Sequence, residues 1–265
     1  MAQLPPGVDI SRPSIARVYD YVLGGEHNFA IDRATVAELA RTLPETQLRE
    51  AARVARAMLV RGIEYLTAEA GIRQFLDLGS GLPTMENTHQ AAQRHASDVT
   101  VCYVDCDPMV RAHAEELLTG QRSRVVTADL RDPSAVCTHP DIVDAIDFGQ
   151  PVAVVLLGIL HHLHDDEEPA RIVREYLAAV PSGSYLMLSH FCSYGPAERA
   201  AEKAFLNFLG TGRFRTQAEI GAYFDGLDLV APGLTPLSAW RNPRQGDTRP
   251  TAGGRMQIGA IARKP

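Results

Sequence analysis

Beyond Gly71 the chain alternates between short apolar segments and segments with helical spacing, and this alternation constrains the fold more than any other feature. The apolar segments predict strands at Gln74–Leu78, Val99–Val104, Arg124–Ala128, Val152–Leu157 and Tyr185–Ser189. They are apolar at nearly every position, which is typical of parallel strands covered on both faces. Strand and helix in repeated alternation predict an α/β fold, a Rossmann-like doubly wound sheet.

Helices are predicted upstream of the strands, between them and in the tail. Their expected bounds are Asp32–Leu43, Thr46–Gly71, Thr84–His95, Pro108–Leu118, Ser134–Ile146, Glu168–Val180, Ala197–Leu209 and Thr216–Gly226. Two further strands are expected at Leu227–Val230 and Met256–Ala262. The loop Pro232–Gly254 between them is too long for a plain turn, which predicts a lid or a disordered excursion. We therefore divide the chain into an amino-terminal helical extension, residues 1–71, and a Rossmann-like domain, residues 72–265.

Composition excludes several classes of protein. The chain has 265 residues, of which 45% are hydrophobic, so it can bury a sizeable core. A net charge of −6 argues against a nucleic-acid partner, which needs a basic face. No apolar run has the length of a membrane span and the start lacks a signal peptide, so we expect a cytoplasmic protein without a membrane partner. The four cysteines predict buried small hydrophobes and no metal site.

The stretch "FLDLGSGLPT" (Phe75–Thr84) places Asp77, Gly79 and Gly81 at the carboxyl end of the first strand. Ligands of open α/β sheets bind at that edge. Glycines there allow a tight turn and let a ligand approach the main chain. The pattern alone is weak, because such an aspartate can also serve only as a helix cap.

Further polar residues end the next predicted strands. Asp105 follows the second strand, where an acid can accept hydrogen bonds from ribose hydroxyls. Asp129 follows the third, where it could accept from the amino group of adenine. Gly158, His161 and His162 stand at the exit of the fourth. Structural needs alone do not explain polar groups at four strand ends on one edge.

A dinucleotide is one candidate ligand, and it would make the chain an NAD(P)-dependent oxidoreductase. A dinucleotide site has a third glycine in the pattern G-x-G-x-x-G. This chain lacks it, because Gly81 is followed by "LPTMEN". Asp77 also suits an ammonium group better than a phosphate. Adenosine joined to an amino acid fits both observations, which indicates S-adenosyl-L-methionine.

The chain resembles the class I S-adenosylmethionine-dependent methyltransferases. More narrowly, it is similar to a bacterial family first catalogued as a domain of unknown function and since labelled S-adenosyl methyltransferase. The matching stretches are "PSIARVYDYVLGGEHNFAIDR", "FLDLGSGLPTMENTHQAAQ", "YVDCDPMVRAHAEELL", "TADLRDP", "LLGILHHLHDDEEP", "SGSYLMLSH" and "FDGLDLVAPGL". The resemblance implies a seven-stranded sheet whose last strand is antiparallel.

The resemblance also implies the cofactor contacts. Asp77, Gly79 and Gly81 would line the methionine and ribose portion, and Asp105 would take the ribose hydroxyls. Asp129 and Leu130 would hold the adenine. Leu157, Gly158 and Leu160 would form the wall beneath the sulfonium. Met109 would be an apolar face for the adenine, with core packing as the alternative.

The amino-terminal block "SIARVYDYVLGGEHNFAIDR" is interpreted as a cover over the cofactor edge. Its contributing residues would be Arg17, Tyr19, Tyr21, Gly24, Gly25 and Asn28. The alternative is a helix that packs on the side of the sheet, with the two tyrosines as half-buried anchors.

Methyl transfer from a sulfonium is an in-line displacement, so the protein mainly supplies alignment and exclusion of water. His161 and His162 are the candidates for a general base, with a structural role as the alternative for each. The expected partner is a small-molecule methyl acceptor, for which Phe191, Tyr194, Phe205, Phe208 and Trp240 offer aromatic surface. A non-catalytic S-adenosylmethionine-binding sensor or scaffold is the alternative to an enzyme. The sequence leaves a homodimer open.

Overall fold

The protein contains one eight-stranded sheet. The structure is a computed structural model that describes residues 5–83, 86–118, 122–243 and 250–265, without the side chains of 116 and 117. The strands are β1 Gln74–Leu78, β2 Thr100–Asp105, β3 Arg124–Thr127, β4 Ala153–Leu157, β5 Tyr185–Phe191, β6 Asp228–Leu229, β7 Thr235–Pro236 and β8 Gln257–Arg263.

The strand order is β3-β2-β1-β4-β5-β8-β6, with β7 paired to β8. Strands β1 to β5 are parallel, and β8 runs antiparallel to β5. The order reverses between β1 and β4, which is the position where open α/β sheets bind ligands. This confirms the predicted Rossmann-like sheet with its antiparallel last strand. The addition to the seven expected strands is the two-residue β7.

The helices follow the expected order. They are α1 Ile15–Leu23, α2 Ala30–Leu39, α3 Glu45–Ala68, α4 Thr88–Gln93, α5 Pro108–Leu117, α6 Pro133–Cys137, α7 Pro140–Ala145, α8 Pro169–Ala179, α9 Pro196–Leu209 and α10 Gln217–Gly221.

Several helix predictions were wrong in their bounds, two of them at sites that bear on the fold. The helix expected at Ser134–Ile146 is the separate pair α6 and α7. Pro140 causes the break, because the residue before a proline is pushed out of the helical region, and His139 is extended at ψ 130°. The helix expected at Thr84–His95 begins only at Thr88. Residues 84 and 85 lie outside the described part of the chain.

The two faces of the sheet carry different helices. Alternate residues of a strand point to opposite faces. Leu76 and Leu78 lie in a core cluster with residues of α6, α7 and α8, whereas Phe75 lies in a cluster with residues of α3, α4 and α5. Both faces are covered, which explains why the strands are apolar at nearly every position.

The amino-terminal extension packs beyond the ends of the strands. Val18 and Val22 of α1 lie in one apolar cluster with Phe191 at the end of β5 and Phe205 of α9. Helix α3 instead packs along the sheet, where Met58 and Ile63 are fully buried. No helix among the described residues has both the length and the apolar character that crossing a membrane requires.

The loop predicted as a lid is packed against α3 over the part that the structure describes. Trp240 is 0% exposed, and its ring lies edge-on to Tyr65. Arg61 of α3 donates hydrogen bonds to the carbonyls of Trp240, at 2.9 Å, and of Leu237, at 2.7 Å. Trp240 is therefore a core residue and offers no surface to an acceptor. Residues 244–249 lie outside the description.

Candidate functional site

The loop after β1 follows the carboxyl edge of the sheet. Gly79 and Gly81 have positive φ angles of 70° and 67°, which favour glycine. A Cβ added to Gly79 would lie 2.4 Å from Cγ1 of Ile159, in the loop after β4. A Cβ added to Gly81 would meet no atom of the described residues within 4 Å. Gly79 thus packs the loop against the exit of β4, and Gly81 leaves open space for a ligand.

Asp105 at the end of β2 is held by the glycine loop. The backbone N–H of Gly81 donates to Oδ2 of Asp105 at 2.9 Å, and that of Asp107 donates to Oδ1 at 2.9 Å. Burial raises the pKa of Asp105. A carboxylate accepts more than two hydrogen bonds, so the fixed group can still take the hydroxyls of a ribose.

Asp77 is a buried acid without a basic partner at hydrogen-bond distance among the described side chains. It is 8% exposed and accepts a hydrogen bond of 2.6 Å from the hydroxyl of Thr88 in α4. Burial raises its pKa to about 6, and the nearby charge of Asp105 acts in the same direction. An ammonium group beside Asp77 would relieve this desolvation.

A small cavity lies against Asp77, beneath the glycine loop, and its lining includes Arg56, Ser80, Thr88 and Tyr103. The Oγ of Ser80 is buried and has no hydrogen-bond partner within the described residues. Arg56 and Thr88 were not predicted from the sequence, because helices α3 and α4 bring them to the loop from distant positions. The N-x-x-Q capping pattern of Asn87 and Gln90 at the start of α4 was the available signal near Thr88.

Helix α1 starts beside the glycine loop. The hydroxyl of Ser14, its N-cap, donates to Asp107, two residues beyond Asp105. Ala16 of α1 packs in one apolar cluster with Leu82 of the loop and Met109 of α5. Met109 is 4% exposed, in agreement with the packing alternative for this residue. The start of α1 therefore lies where a cover over the cofactor would lie.

Several residues predicted for the cover have partners within the protein. Arg17 forms a buried ion pair with Asp32 at 2.9 Å. The hydroxyl of Tyr19 donates to the carbonyl of Ala52 at 3.2 Å, and Tyr21 packs under the guanidinium of Arg49. These contacts support packing as the role of the three side chains.

The double glycine ends α1, as the sequence indicates. Gly24 caps the helix at φ 90°. The N–H of Gly25 donates to the carbonyl of Asp20 at 2.9 Å. The side-chain amide of Asn28 donates to the Asp20 carboxylate and to the carbonyl of Gly25, both at 2.9 Å. Asn28 thus fixes the turn after α1.

At the third strand end, Asp129 and Leu130 have different surroundings. Arg131 donates from Nε to the Asp129 carboxylate at 2.9 Å and lowers the pKa of that acid. Leu130 is a core residue, and its carbonyl accepts a hydrogen bond of 2.9 Å from Tyr176. An adenine amino group at Asp129 would share the carboxylate with Arg131.

The exit of β4 brings together the other predicted residues. Gly158 has φ 68°, and its N–H donates to the hydroxyl of Ser189 on β5 at 2.9 Å. Leu157 is half-buried, whereas Leu160 is fully buried in the core. Only the first part of the expected wall can therefore face a ligand.

The two candidate bases lie against each other, with ring centroids 4.0 Å apart, and differ in their other neighbours. His161 is 3% exposed and packs edge-to-face on Phe191, with ring centroids 4.5 Å apart. Its Nδ1 has no hydrogen-bond partner in the described part of the chain. Nδ1 of His162 lies 2.8 Å from the hydroxyl of Thr211. Burial lowers the pKa of His161 well below its ordinary value and that of His162 to about 3.

Arg215 fixes this exit and was not predicted from the sequence. Its guanidinium donates to the carbonyls of Leu160 and Leu163, both at 3.2 Å, and to Oδ1 of Asp165 at 2.8 Å. It also lies 2.9 Å from Nε2 of His190. Because arginine can only donate, His190 carries its proton on Nδ1, which then donates to the carbonyl of Phe191 at 2.8 Å.

A family profile described as S-adenosyl methyltransferase matches residues 1–265. The chain belongs to the S-adenosyl methyltransferase family. Membership agrees with the glycine loop and with the acid at the end of β2. It makes the chain a methyltransferase, and the NAD(P)-dependent oxidoreductase alternative is not favoured.

Solved structures support the family fold over its full length. A protein from Thermobifida fusca YX is 42% identical, with a TM-score of 0.95 over 100% of this chain and 99% of that one. A DUF574 family protein from Streptomyces avermitilis MA-4680 is 34% identical, with a TM-score of 0.90 over 96% and 98%. Mitomycin 7-O-methyltransferase is 20% identical, with a TM-score of 0.51 over 93% and 67%, and is similar in fold alone. No curated protein sequence matches the chain.

Proposed function

We propose that this methyltransferase binds S-adenosyl-L-methionine at the glycine-loop edge and transfers the methyl group to a small-molecule acceptor. The observation that carries the proposal is the pair of acids on either side of the loop. Asp77 would hold the ammonium group of the methionine portion, and Asp105 would hold the ribose hydroxyls. The open space at Gly81 and the unpartnered Ser80 hydroxyl fit a ligand with both polar and main-chain contacts.

The bound cofactor would supply an electrophilic methyl group on sulfur. The chain would supply alignment and exclusion of water. Gly158 and Leu157 would lie beneath the reacting centre, and the start of α1 would close the edge beside Met109. The Arg17–Asp32 pair would keep α1 in place rather than contact the ligand.

His161 is the better of the two candidate bases. Its Nδ1 has no hydrogen-bond partner among the described residues and can accept a proton, although burial lowers its pKa and so weakens it as a base. His162 already faces Thr211 and would keep the loop in place. In this assignment the methyl acceptor gives its proton to His161, if that proton leaves during the displacement.

Calorimetric titration tests the proposal. S-adenosylmethionine and S-adenosylhomocysteine should both bind saturably, and NAD(H) should not. Absence of binding by both adenosyl ligands would refute the assignment. Binding without turnover against hydroxyl, amine and carboxylate acceptors would instead favour the sensor alternative. We propose neither nucleic acid nor membrane as a partner, because the net charge is −6 and the acids lie at the site itself.

A further inference from the structure

Gln257 is a buried amide with an unpartnered carbonyl oxygen. It is the first residue of β8 and is 5% exposed. Its Oε1 has no hydrogen-bond donor among the described residues. An acceptor buried without a donor is costly, so such a group in a native protein either holds a water, an ion or a ligand or serves a function.

The amide lies at the exit of β4, and Phe191 connects it to the group assigned as the base. A Cβ added to Gly158 would lie 4.0 Å from Oε1 of Gln257. Gln257 is paired with Phe191 across the β5–β8 ladder, so the two side chains share a face of the sheet. The ring of Phe191 contacts His161, whose Nδ1 is also unpartnered. Two unpartnered polar atoms therefore flank one strand exit.

The neighbouring polar groups of this exit have partners. The hydroxyl of Ser189 accepts from the N–H of Gly158, and Nδ1 of His162 lies at hydrogen-bond distance from Thr211. Arg215 donates to Nε2 of His190. Within the described residues these contacts leave Oε1 of Gln257 and Nδ1 of His161 without partners at this exit, and one bound molecule that donates to both atoms would satisfy them.

We propose that Gln257 determines the class of methyl acceptor. Its carbonyl oxygen accepts a hydrogen bond from one hydrogen of a methyl acceptor that carries two, and the second hydrogen faces His161. The inference rests on the proposed function and deepens it. Such acceptors are primary amines and molecules with adjacent hydroxyls. A carboxylate has no hydrogen to donate and would be repelled by Oε1.

The reaction at this position balances without a further reactant. A lone pair on the acceptor's oxygen or nitrogen forms the new bond to the methyl carbon. The carbon–sulfur bond breaks with its electron pair going to sulfur. The hydrogen that faced His161 passes to Nδ1 as a proton, and the hydrogen on Gln257 keeps the acceptor oriented.

The test uses the full chain saturated with S-adenosylhomocysteine and titrated with catechol, phenol and benzoate, observed by ligand NMR. Catechol should bind the parent about tenfold more tightly than benzoate, with phenol between them, as expected for one or two hydrogen bonds. Gln257→Leu should weaken catechol roughly tenfold and leave S-adenosylhomocysteine affinity unchanged. If that variant does not fold, Gln257→Asn, which withdraws the amide by one carbon, should give the same loss.

Gln74→Leu is the matched control, since Gln74 lies at the start of β1, where its amide bonds the backbone of Asp147. It should leave catechol binding unchanged. Equal catechol binding by the parent and the Gln257 variants, including no binding by any of them, overturns the inference. So does preferred binding of benzoate. Failure of the parent to bind S-adenosylhomocysteine would instead refute the proposed function.

Discussion

The two halves of the site are built on different principles. The acidic edge, formed by Asp77, Gly79, Gly81 and Asp105, joins consecutive strand ends through backbone contacts. The histidine exit, formed by His161, His162, His190 and Arg215, joins side chains from three separate parts of the chain.

The difference matches the two ligands that we assign. A cofactor shared by a whole class of enzymes is suited by two carboxylates at neighbouring strand ends that a glycine loop holds in place. An acceptor that differs between enzymes is suited by side chains on separate elements. The acidic edge should therefore control cofactor affinity, and the histidine exit should control the acceptor.

The largest effect is expected at Gly79. Gly79→Val places a Cβ 2.4 Å from Ile159 Cγ1 at a positive φ, so the loop must move away from the exit of β4. S-adenosylhomocysteine affinity, measured by calorimetry, should fall more than roughly 100-fold. Gly71→Val is the control, because Gly71 has φ 73° but no neighbour within 4 Å. Equal binding by both variants would show that the close packing at Gly79 is irrelevant to the site.

A smaller loss of affinity, with a gain in stability, is expected at Asp77. Asp77→Asn removes the charge that an ammonium would pair with, so S-adenosylhomocysteine should bind about 10- to 100-fold more weakly. Because burial raises the pKa of Asp77 to about 6, ionisation above that pH costs stability. The asparagine variant should therefore gain about 2 kcal/mol in unfolding free energy at pH 8.

Asp32→Asn is the contrasting variant for the stability measurement. It breaks the buried pair with Arg17 and should destabilise the protein by about 3 kcal/mol. Denaturant unfolding at pH 8 measures both variants. A loss of stability in Asp77→Asn would contradict the conclusion that burial of the ionised Asp77 costs stability.

The pH dependence of cofactor binding gives the next effect. Below about pH 6 Asp77 takes up a proton, so S-adenosylhomocysteine affinity should fall roughly tenfold for each further pH unit. Folding stability does not cause this loss of affinity, because it changes in the opposite direction. Asp77 has a raised pKa in the folded protein, so its contribution to stability is full below the unfolded value of 3.8 and is lost as the pH rises through about 6. Titrations between pH 5 and 8 should show the slope in the parent. The same slope in Asp77→Asn would assign it to another group.

The smallest effect on the cofactor is expected at Arg215. Arg215→Met removes the donor to two carbonyls and to His190, and should lower the unfolding free energy by about 2–4 kcal/mol. Cofactor affinity should change by less than about threefold, since Arg215 belongs to the histidine exit. A loss of cofactor affinity as large as that of Asp77→Asn would remove the distinction between the two halves.

The acidic edge was predictable because its residues follow apolar strands directly. Strand β1 has the predicted bounds, and Asp77, Gly79 and Asp105 lie at the expected edge. In the histidine exit, the sequence pointed to histidines but not to Arg215 or Gln257. Arg215 and Gln257 reach it through the β5–β8 pairing and a bridge between Cys192 and Arg215. Such long-range pairing leaves no local pattern in the sequence.

The amino-terminal cover shows the same limit. Helix α1 and the capping glycine at 24 follow from local patterns. The contact of Ser14 with Asp107 and the internal partners of Arg17 and Tyr19 depend on packing between distant segments. The sequence could therefore single out this amino-terminal block but could not say which of its residues touch the glycine loop.

A crystal structure of the chain with S-adenosylhomocysteine tests the central claim most directly. The account predicts the ammonium group at Asp77, the ribose hydroxyls at Asp105 and the sulfur facing Gly158, with the Gln257 amide on the far side of the sulfur. A ligand bound away from the glycine loop, or one whose sulfur faces away from the exit of β4, would contradict it.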